Sequence, residues 1–291
     1  MFEGFQLKTI EVNDVSIRLR VGGSGPPLLL LHGNPQTHVM WHLVAPELSK
    51  RFTVVATDLT GYGESSKPPS SKDHMAYSKR SMASDQVAVM RELGFAQFSV
   101  AGHDRGGRVA YRMALDHPAA IKKLAVLDII PTLESFQRSN SEFSLGYYHW
   151  FFLAQPSPLP ETLINQTPEW FWRWHTNRSS RDFFAKTAVD DYLKCFKNPE
   201  TVRAICEDYR AGISIDCEHD LADQKAGHKI TCPVLALWGK QAKLELWYDT
   251  LKIWRSWATE VQGFGIDCGH YLAEEKSEQT TKALSDFFLT E

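Results

Sequence analysis

The sequence predicts an α/β fold in which a mostly parallel sheet is flanked by helices and carries a helical insertion. Apolar strand-like segments alternate with helix-like ones up to Pro131, and the alternation resumes near Thr231. The intervening segment has no such alternation and holds 16 of the 34 aromatic residues. We therefore predict a core domain of residues 1–131 and 226–291, with residues 132–225 forming a helical cap over the carboxyl ends of the strands.

The predicted strands are short apolar runs that each end at a polar residue. An opening hairpin is expected around Asn13-Asp14, which separates TIEV from VSIRLRV. Five strands buried on both faces are expected in PPLLLLHG, FTVVATD, FSVAGHD, KLAVLD and VLALWG. Ligands of open parallel sheets bind at the carboxyl ends of the strands. Four residues are therefore expected along one edge: His32, Asp58, Asp104 and Asp128.

Charge and composition exclude several classes of partner. The 32 basic and 35 acidic residues form no clustered run, so neither nucleic acid nor an anionic membrane is an expected partner. The first residues, MFEGFQLKTIEV, show neither the basic nor the apolar region of a signal peptide, and no run approaches about 18 apolar residues, so neither a signal peptide nor a membrane span is expected. The five cysteines are scattered and include no CxxC pair, which predicts neither a disulfide framework nor a zinc site. We expect a cytoplasmic protein that acts on a small molecule without metal or other cofactor.

The stretch GHDRGG, residues 102–107, predicts a nucleophile at a tight strand-to-helix turn. Small residues must flank such a turn, and Gly102, Gly106 and Gly107 supply them. Asp104 occupies the apex, where a carboxylate is ionised at neutral pH without the help of a base. A carboxylate attacks a saturated carbon by displacement and forms an alkyl ester, which water then hydrolyses. Halide and an epoxide oxygen are suitable leaving groups.

Further residues complete a hydrolytic site. Asp128 ends the next strand and His270 precedes the last helix, so the chain order is nucleophile, acid, histidine. His270 is expected to activate water, with Asp128 fixing its tautomer. The backbone N–H groups of Asn34, in LHGNP, and Arg105 are expected to form an oxyanion hole.

The whole chain resembles the fluoroacetate (haloacetate) dehalogenase family of the α/β-hydrolases. The motifs GHDRGGR, LAVLDIIPT, YYHW and EDYRAG carry the resemblance and span both core and cap. The resemblance implies an α/β-hydrolase fold, a homodimer, and hydrolysis of 2-haloacids such as fluoroacetate or chloroacetate to glycolate and halide through an aspartyl ester. It implies catalytic Asp104, Asp128 and His270, carboxylate-binding Arg105 and Arg108, and halide-binding His149, Trp150 and Tyr209.

The two arginines fit this function on physical grounds as well. Arg105 and Arg108 are three residues apart at a predicted helix start, hence on one face, and a guanidinium fork matches a carboxylate. Two cations at the positive end of a helix are expected to stay unpaired only where an anion binds, and surface ion pairs with acids elsewhere in the chain are the alternative.

Three alternatives remain open. Asn34 stands where fluoroacetate dehalogenases usually carry an aromatic residue, and HGNP is similar to haloalkane dehalogenases, whose asparagine helps to bind halide. An epoxide hydrolase would use two tyrosines, for which Tyr147, Tyr148 and Tyr209 are candidates. Both of those families place tryptophan where this sequence has Arg105. A non-catalytic binding module is the third alternative, and the complete set of catalytic partners argues against it.

Overall fold

The sheet of this protein opens with a hairpin and continues as parallel strands. The structure is a computed structural model, and it describes residues 1–176 and 183–290. Its strands are β1 (Gln6–Val12), β2 (Val15–Gly22), β3 (Pro27–Leu31), β4 (Thr53–Thr57), β5 (Phe98–His103), β6 (Ile121–Leu127), β7 (Val234–Gly239) and β8 (Val261–Ile266). They lie in the order β1-β2-β4-β3-β5-β6-β7-β8, antiparallel as far as the β2–β4 pair and parallel beyond it.

The buried strands confirm the fold prediction. Residues 28–31 of β3 and 54–57 of β4 are completely buried, as expected for apolar runs covered on both faces. Asn13 and Asp14 both adopt positive φ values, +47° and +65°, which allows the two-residue turn between β1 and β2. Strand β8 was not predicted. It lies at the sheet edge with an alternating exposed pattern, and the glycines of VQGFGI conceal that pattern in the sequence.

Helices cover the sheet and fill the interval between β6 and β7. Core helices are α1 (Ala45–Leu48), α2 (Lys79–Glu92), α3 (Arg105–Asp116), α12 (Lys243–Trp247), α13 (Thr250–Trp257), α14 (Leu272–Glu275) and α15 (Ser277–Leu289). The inserted helices are α4 (Thr132–Gln137), α5 (Ser141–Gly146), α6 (Tyr148–Leu153), α7 (Leu159–Gln166), α8 (Pro168–Thr176), α9 (Lys186–Phe196), α10 (Pro199–Ile213) and α11 (Ile215–Ala226). Within the described ranges, no helix combines the length and the apolar character needed to cross a bilayer.

Candidate active site

Asp104 sits on a strained turn between β5 and α3. Its φ is +47° and its ψ is −115°, a conformation that a non-glycine residue rarely adopts. A Cβ atom at Gly102 would lie 2.3 Å from the carbonyl oxygen of Gly106, and one at Gly106 would lie 2.4 Å from the carbonyl oxygen of His32. Only glycine fits at these flanking positions, so the GHDRGG pattern follows from the geometry of the turn.

The Asp104 carboxylate is buried yet held in its charged form. Its side chain borders a cavity, and its Oδ1 accepts a 2.9 Å hydrogen bond from the backbone N–H of Asn34. Burial alone would raise the pKa of this carboxyl. The positive charges of neighbouring histidines and arginines, that of His270 first, outweigh burial and lower the pKa below its ordinary value. A carboxylate therefore faces the cavity at neutral pH.

Asp128 and His270 form an oriented acid–histidine pair. Nδ1 of His270 lies 2.6 Å from Oδ2 of Asp128, whose Oδ1 accepts a 2.9 Å hydrogen bond from the backbone N–H of Gly239. This contact assigns the Nδ1–H tautomer to neutral His270 and leaves Nε2 as its basic nitrogen. Burial would lower the pKa of His270, but the bond to Asp128 and nearby carboxylate charges raise it overall.

One cavity, of about 370 Å³, unites these groups with residues of the inserted helices. The polar and aromatic residues that line the cavity include Asn34, Asp104, Arg108, Asp128, Tyr147, His149, Trp150, His175, Tyr209 and His270. The cavity thus brings together the predicted triad, all three predicted halide-binding residues and one of the two predicted carboxylate ligands. Its size is at the lower end of the range for small-molecule sites.

A cluster of donors occupies the cavity wall that the inserted helices supply. His149 and Trp150 come from α6 and Tyr209 from α10, with the Tyr209 ring 5.8 Å from that of His149 and 6.4 Å from that of Trp150. The Asn34 side chain donates to the Tyr209 hydroxyl over 3.3 Å. Burial, followed by the charge of Asp104, raises the pKa of Tyr209 well above its usual value. Tyr209 therefore keeps its proton and can donate it in a hydrogen bond.

Arg108 is a buried cation that borders the cavity. Only 3% of its surface is exposed, and its Nη1 donates to the carbonyl oxygen of Ile130 (3.0 Å) and the hydroxyl of Thr132 (3.2 Å). Its guanidinium carbon lies 4.4 Å from the centre of the Trp150 ring. Among the residues that the structure describes, no carboxylate forms an ion pair with it, and its buried Nε has no hydrogen-bond partner. A buried charge of this kind calls for an anionic ligand.

Arg105, unlike Arg108, is paired with a carboxylate. Its guanidinium donates to both carboxylate oxygens of Asp208, over 2.6 and 2.8 Å, and also to the Asp208 carbonyl oxygen. Its side chain is not among those that line the cavity. A buried carboxylate of α10 thus pairs with Arg105, and its role as a second ligand of the substrate carboxylate stays a prediction. The guanidinium carbon lies 4.2 Å from the centre of the Tyr209 ring, so Arg105 supports the donor cluster from behind.

A comparison with known proteins decides the family. The profile described as "alpha/beta hydrolase fold" matches residues 26–277. This chain belongs to the α/β-hydrolases. The chain order of Asp104, Asp128 and His270 and the turn at Asp104 are the features that the family would require.

The α/β-hydrolase resembles proteins with two named activities. It is 42% identical to a fluoroacetate dehalogenase from Burkholderia sp, over 99% of this chain and 95% of that one, which confirms the resemblance inferred from the motifs. It is 33% identical to a soluble epoxide hydrolase from Corynebacterium sp. (strain C12), over 95% of each chain. A crystal structure of an alpha/beta hydrolase from Nostoc sp PCC 7120 superimposes with a TM-score of 0.98, at 50% identity over 99% of each chain.

Two residues at or behind the cavity of the α/β-hydrolase were not suggested by the sequence. His175, from α8, lines the cavity, and its Nε2 lies 3.5 Å from the Asn34 amide nitrogen. In the sequence it stands within WFWRWHT, where nothing separates a cavity residue from the surrounding aromatic packing. Asp208 stands beside Tyr209 in EDYRAG, and only the three-dimensional structure relates it to Arg105, 103 positions earlier.

Proposed function

We propose that this α/β-hydrolase converts 2-haloacids, most directly haloacetates such as fluoroacetate and chloroacetate, to hydroxyacids and halide. The observation that carries the proposal is Arg108, a buried guanidinium with no carboxylate partner in the described part of the chain, in the same cavity as Asp104. A haloacid supplies both the carboxylate that this cation needs and a carbon that Asp104 can attack. The 42% sequence identity to a fluoroacetate dehalogenase supports this substrate class.

The first step is displacement of halide by Asp104. Because Oδ1 is held by the Asn34 N–H, we assign the attack to Oδ2. A bond forms between Oδ2 and C2 of the substrate, while the carbon–halogen bond breaks and the halide leaves with the electron pair. The N–H and O–H donors of His149, Trp150 and Tyr209 would stabilise the departing anion, and Arg108 would hold the carboxylate.

The second step is hydrolysis of the Asp104 ester. Nε2 of His270 takes a proton from water, whose oxygen attacks Cγ of Asp104. The charge that develops on Oδ1 would be stabilised by the N–H of Asn34, already bonded to that atom, and by the N–H of Arg105. The bond between Cγ and Oδ2 then breaks, and the proton on His270 passes to the leaving hydroxyacid oxygen. The regenerated Asp104 carboxyl then releases its proton to solvent, so haloacid and water yield hydroxyacid, halide and one proton.

The two steps should differ in their dependence on pH. Asp104 and Asp128 both raise the pKa of His270 in the free enzyme, and esterification of Asp104 removes one of those charges. His270 is an active base only when neutral, so ester hydrolysis should slow as pH falls through the pKa of its imidazole. Halide release in the first turnover should stay nearly constant over the same interval of pH. Asp128→Asn should move the acid limb of hydrolysis to lower pH, because it removes the principal bond that raises this pKa. Rapid-quench measurements of halide and hydroxyacid across this pH range check both expectations, and an equal pH dependence of both steps would contradict them.

The two arginines provide a matched pair of variants for stability and activity. Arg108→Met should reduce kcat/KM for chloroacetate by at least about 100-fold, because the substrate carboxylate would be buried without a cation. It should leave the free energy of unfolding unchanged or increased, because a buried unpaired charge is removed. Arg105→Met should lower the free energy of unfolding by about 3 kcal/mol, because Asp208 loses its bidentate partner. Urea unfolding and steady-state kinetics of both variants measure these effects; equal loss of stability would contradict the account.

A panel of substrates tests the function itself. Purified protein is mixed with fluoroacetate, chloroacetate, 1-chlorobutane and styrene oxide, and halide or diol is measured, with Asp104→Asn as the blank. Turnover confined to the two acids is the expected result. Turnover of only the uncharged substrates would overturn the proposal.

An epoxide hydrolase is the second candidate function. Tyr147 and Tyr209 both line the cavity, and burial raises the pKa of each well above its usual value, so both could donate protons to an epoxide oxygen. The soluble epoxide hydrolase relative favours this candidate. An uncharged epoxide would leave Arg108 without a counter-ion, which is why the haloacid is preferred.

A further inference from the structure

A glutamate outside the triad accepts hydrogen bonds from the loop that carries His270. Glu275 lies at the end of α14, and its Oε2 accepts a 2.7 Å hydrogen bond from the N–H of Gly269. Its Oε1 accepts a 2.9 Å hydrogen bond from the N–H of Tyr271. These two amides are the immediate neighbours of His270 in the chain. One carboxylate therefore binds the backbone on both sides of the histidine.

Other groups hold the carbonyl oxygen and the imidazole of His270, but not the amides beside it. The carbonyl oxygen of His270 accepts a 2.8 Å hydrogen bond from Nε2 of His103, and the imidazole itself is held by Asp128. The adjacent Glu274 is directed elsewhere, since it accepts hydrogen bonds from Gln36 and Tyr192. Glu275 is thus the only carboxylate in the described chain that binds the amides beside His270.

The glycine that precedes His270 is consistent with the same contact. A Cβ atom at Gly269 would lie 2.8 Å from Oε1 of Glu275, closer than side-chain carbons and carboxylate oxygens approach. Glycine at this position lets the carboxylate reach the backbone. The bonds to Gly269 and Tyr271 have a charged acceptor, which makes them stronger than bonds between neutral groups.

We propose that Glu275 is a positioning residue that fixes His270 for hydrolysis of the Asp104 ester. The proposal rests on the proposed function. Residues 267–271 belong to neither a helix nor a strand. Gln241 binds the start of this loop, at Asp267 and at the carbonyl oxygen of Cys268, whereas Glu275 binds the amides directly beside His270. A displacement of about 1 Å at a reacting group can cost about 100-fold in rate. Loss of the hydrogen bonds between Glu275 and these amides should therefore impair the step that uses Nε2 of His270. It should leave the displacement by Asp104 intact.

The test separates the two chemical steps in variants of the full chain. In Glu275→Gln the side chain keeps its size and one acceptor oxygen but loses its charge and one of the two bonds. We expect the first-turnover release of chloride from chloroacetate to stay within about twofold of wild type, while ester hydrolysis slows about 10- to 100-fold. The ester on Asp104 should accumulate in intact-protein mass spectra. Glu275→Asp, which keeps the charge, should restore part of the hydrolysis rate.

A matched control and a second readout complete the experiment. Glu278→Gln removes the same charge from an exposed position on α15 and should behave as wild type in both steps. Hydrogen exchange of a peptide spanning residues 267–272 should accelerate in Glu275→Gln and stay unchanged in Glu278→Gln. Unchanged exchange, or equal loss of both chemical steps, would overturn the proposal. Failure of wild-type protein to release halide would instead refute the proposed function. Accelerated exchange in Glu275→Gln would in that case still support the hydrogen bonds between Glu275 and the loop.

Discussion

Replacement of Asp104 by Asn should abolish halide release. The neutral amide is a poor nucleophile, and no other ionised carboxylate is placed at the apex of the turn between β5 and α3 in the described structure. We expect the rate of chloride release from chloroacetate to fall by more than about 10⁴-fold, in line with the removal of other enzymic nucleophiles. Ion chromatography of the reaction mixture measures the released halide.

The Asp104→Asn variant should nevertheless bind its substrate. Arg108 remains in the cavity, and loss of the neighbouring negative charge favours an anionic ligand. Chloroacetate should therefore raise the melting temperature of this variant, and should not raise that of Arg108→Met. Halide release by Asp104→Asn at a rate near that of wild type would show that another group attacks the substrate.

Replacement of His270 by Asn should stop the reaction after one turnover. Asp104 still displaces the halide, so about one equivalent per active site should be released in a burst. The ester then persists, because the base facing it has been removed, and hydrolysis should slow by about 10²- to 10⁴-fold. Intact-protein mass spectrometry should detect the added carboxymethyl group, and peptide mapping should place it on Asp104.

The acid partner supplies a graded control for this experiment. Asp128→Asn keeps the imidazole but loses the 2.6 Å bond that sets its tautomer and raises its pKa. It should slow hydrolysis less than His270→Asn and should accumulate less ester. Substrate consumption by wild type without any adduct in His270→Asn would contradict this division of labour.

The sequence predicted the elements of the site that depend on local rules. Apolar runs mark the buried parallel strands, and the carboxyl ends of such strands share one edge, so Asp104 and Asp128 were expected to lie together. The glycines of GHDRGG predict a turn that has no room for a side chain at its flanks. A Cβ atom at Gly102 or Gly106 would lie 2.3 or 2.4 Å from a backbone oxygen. These features require no knowledge of distant contacts.

The sequence could not predict pairings between distant segments. Arg105 and Arg108 look equivalent in GHDRGGR, yet Asp208 on α10 pairs with Arg105 and not with Arg108. Their different surroundings follow from where α10 places Asp208, which no periodicity encodes. His175 and Glu275 were missed for the same reason, since each acquires its place only through residues that folding brings beside it.

The most direct test of the account is a single turnover of chloroacetate in ¹⁸O-labelled water with enzyme in excess. The account predicts unlabelled glycolate, because its new oxygen comes from Asp104, and one ¹⁸O atom in the peptide that contains Asp104. Labelled glycolate from the first turnover, with no label in that peptide, would mean that water attacks the substrate directly and would contradict the ester mechanism.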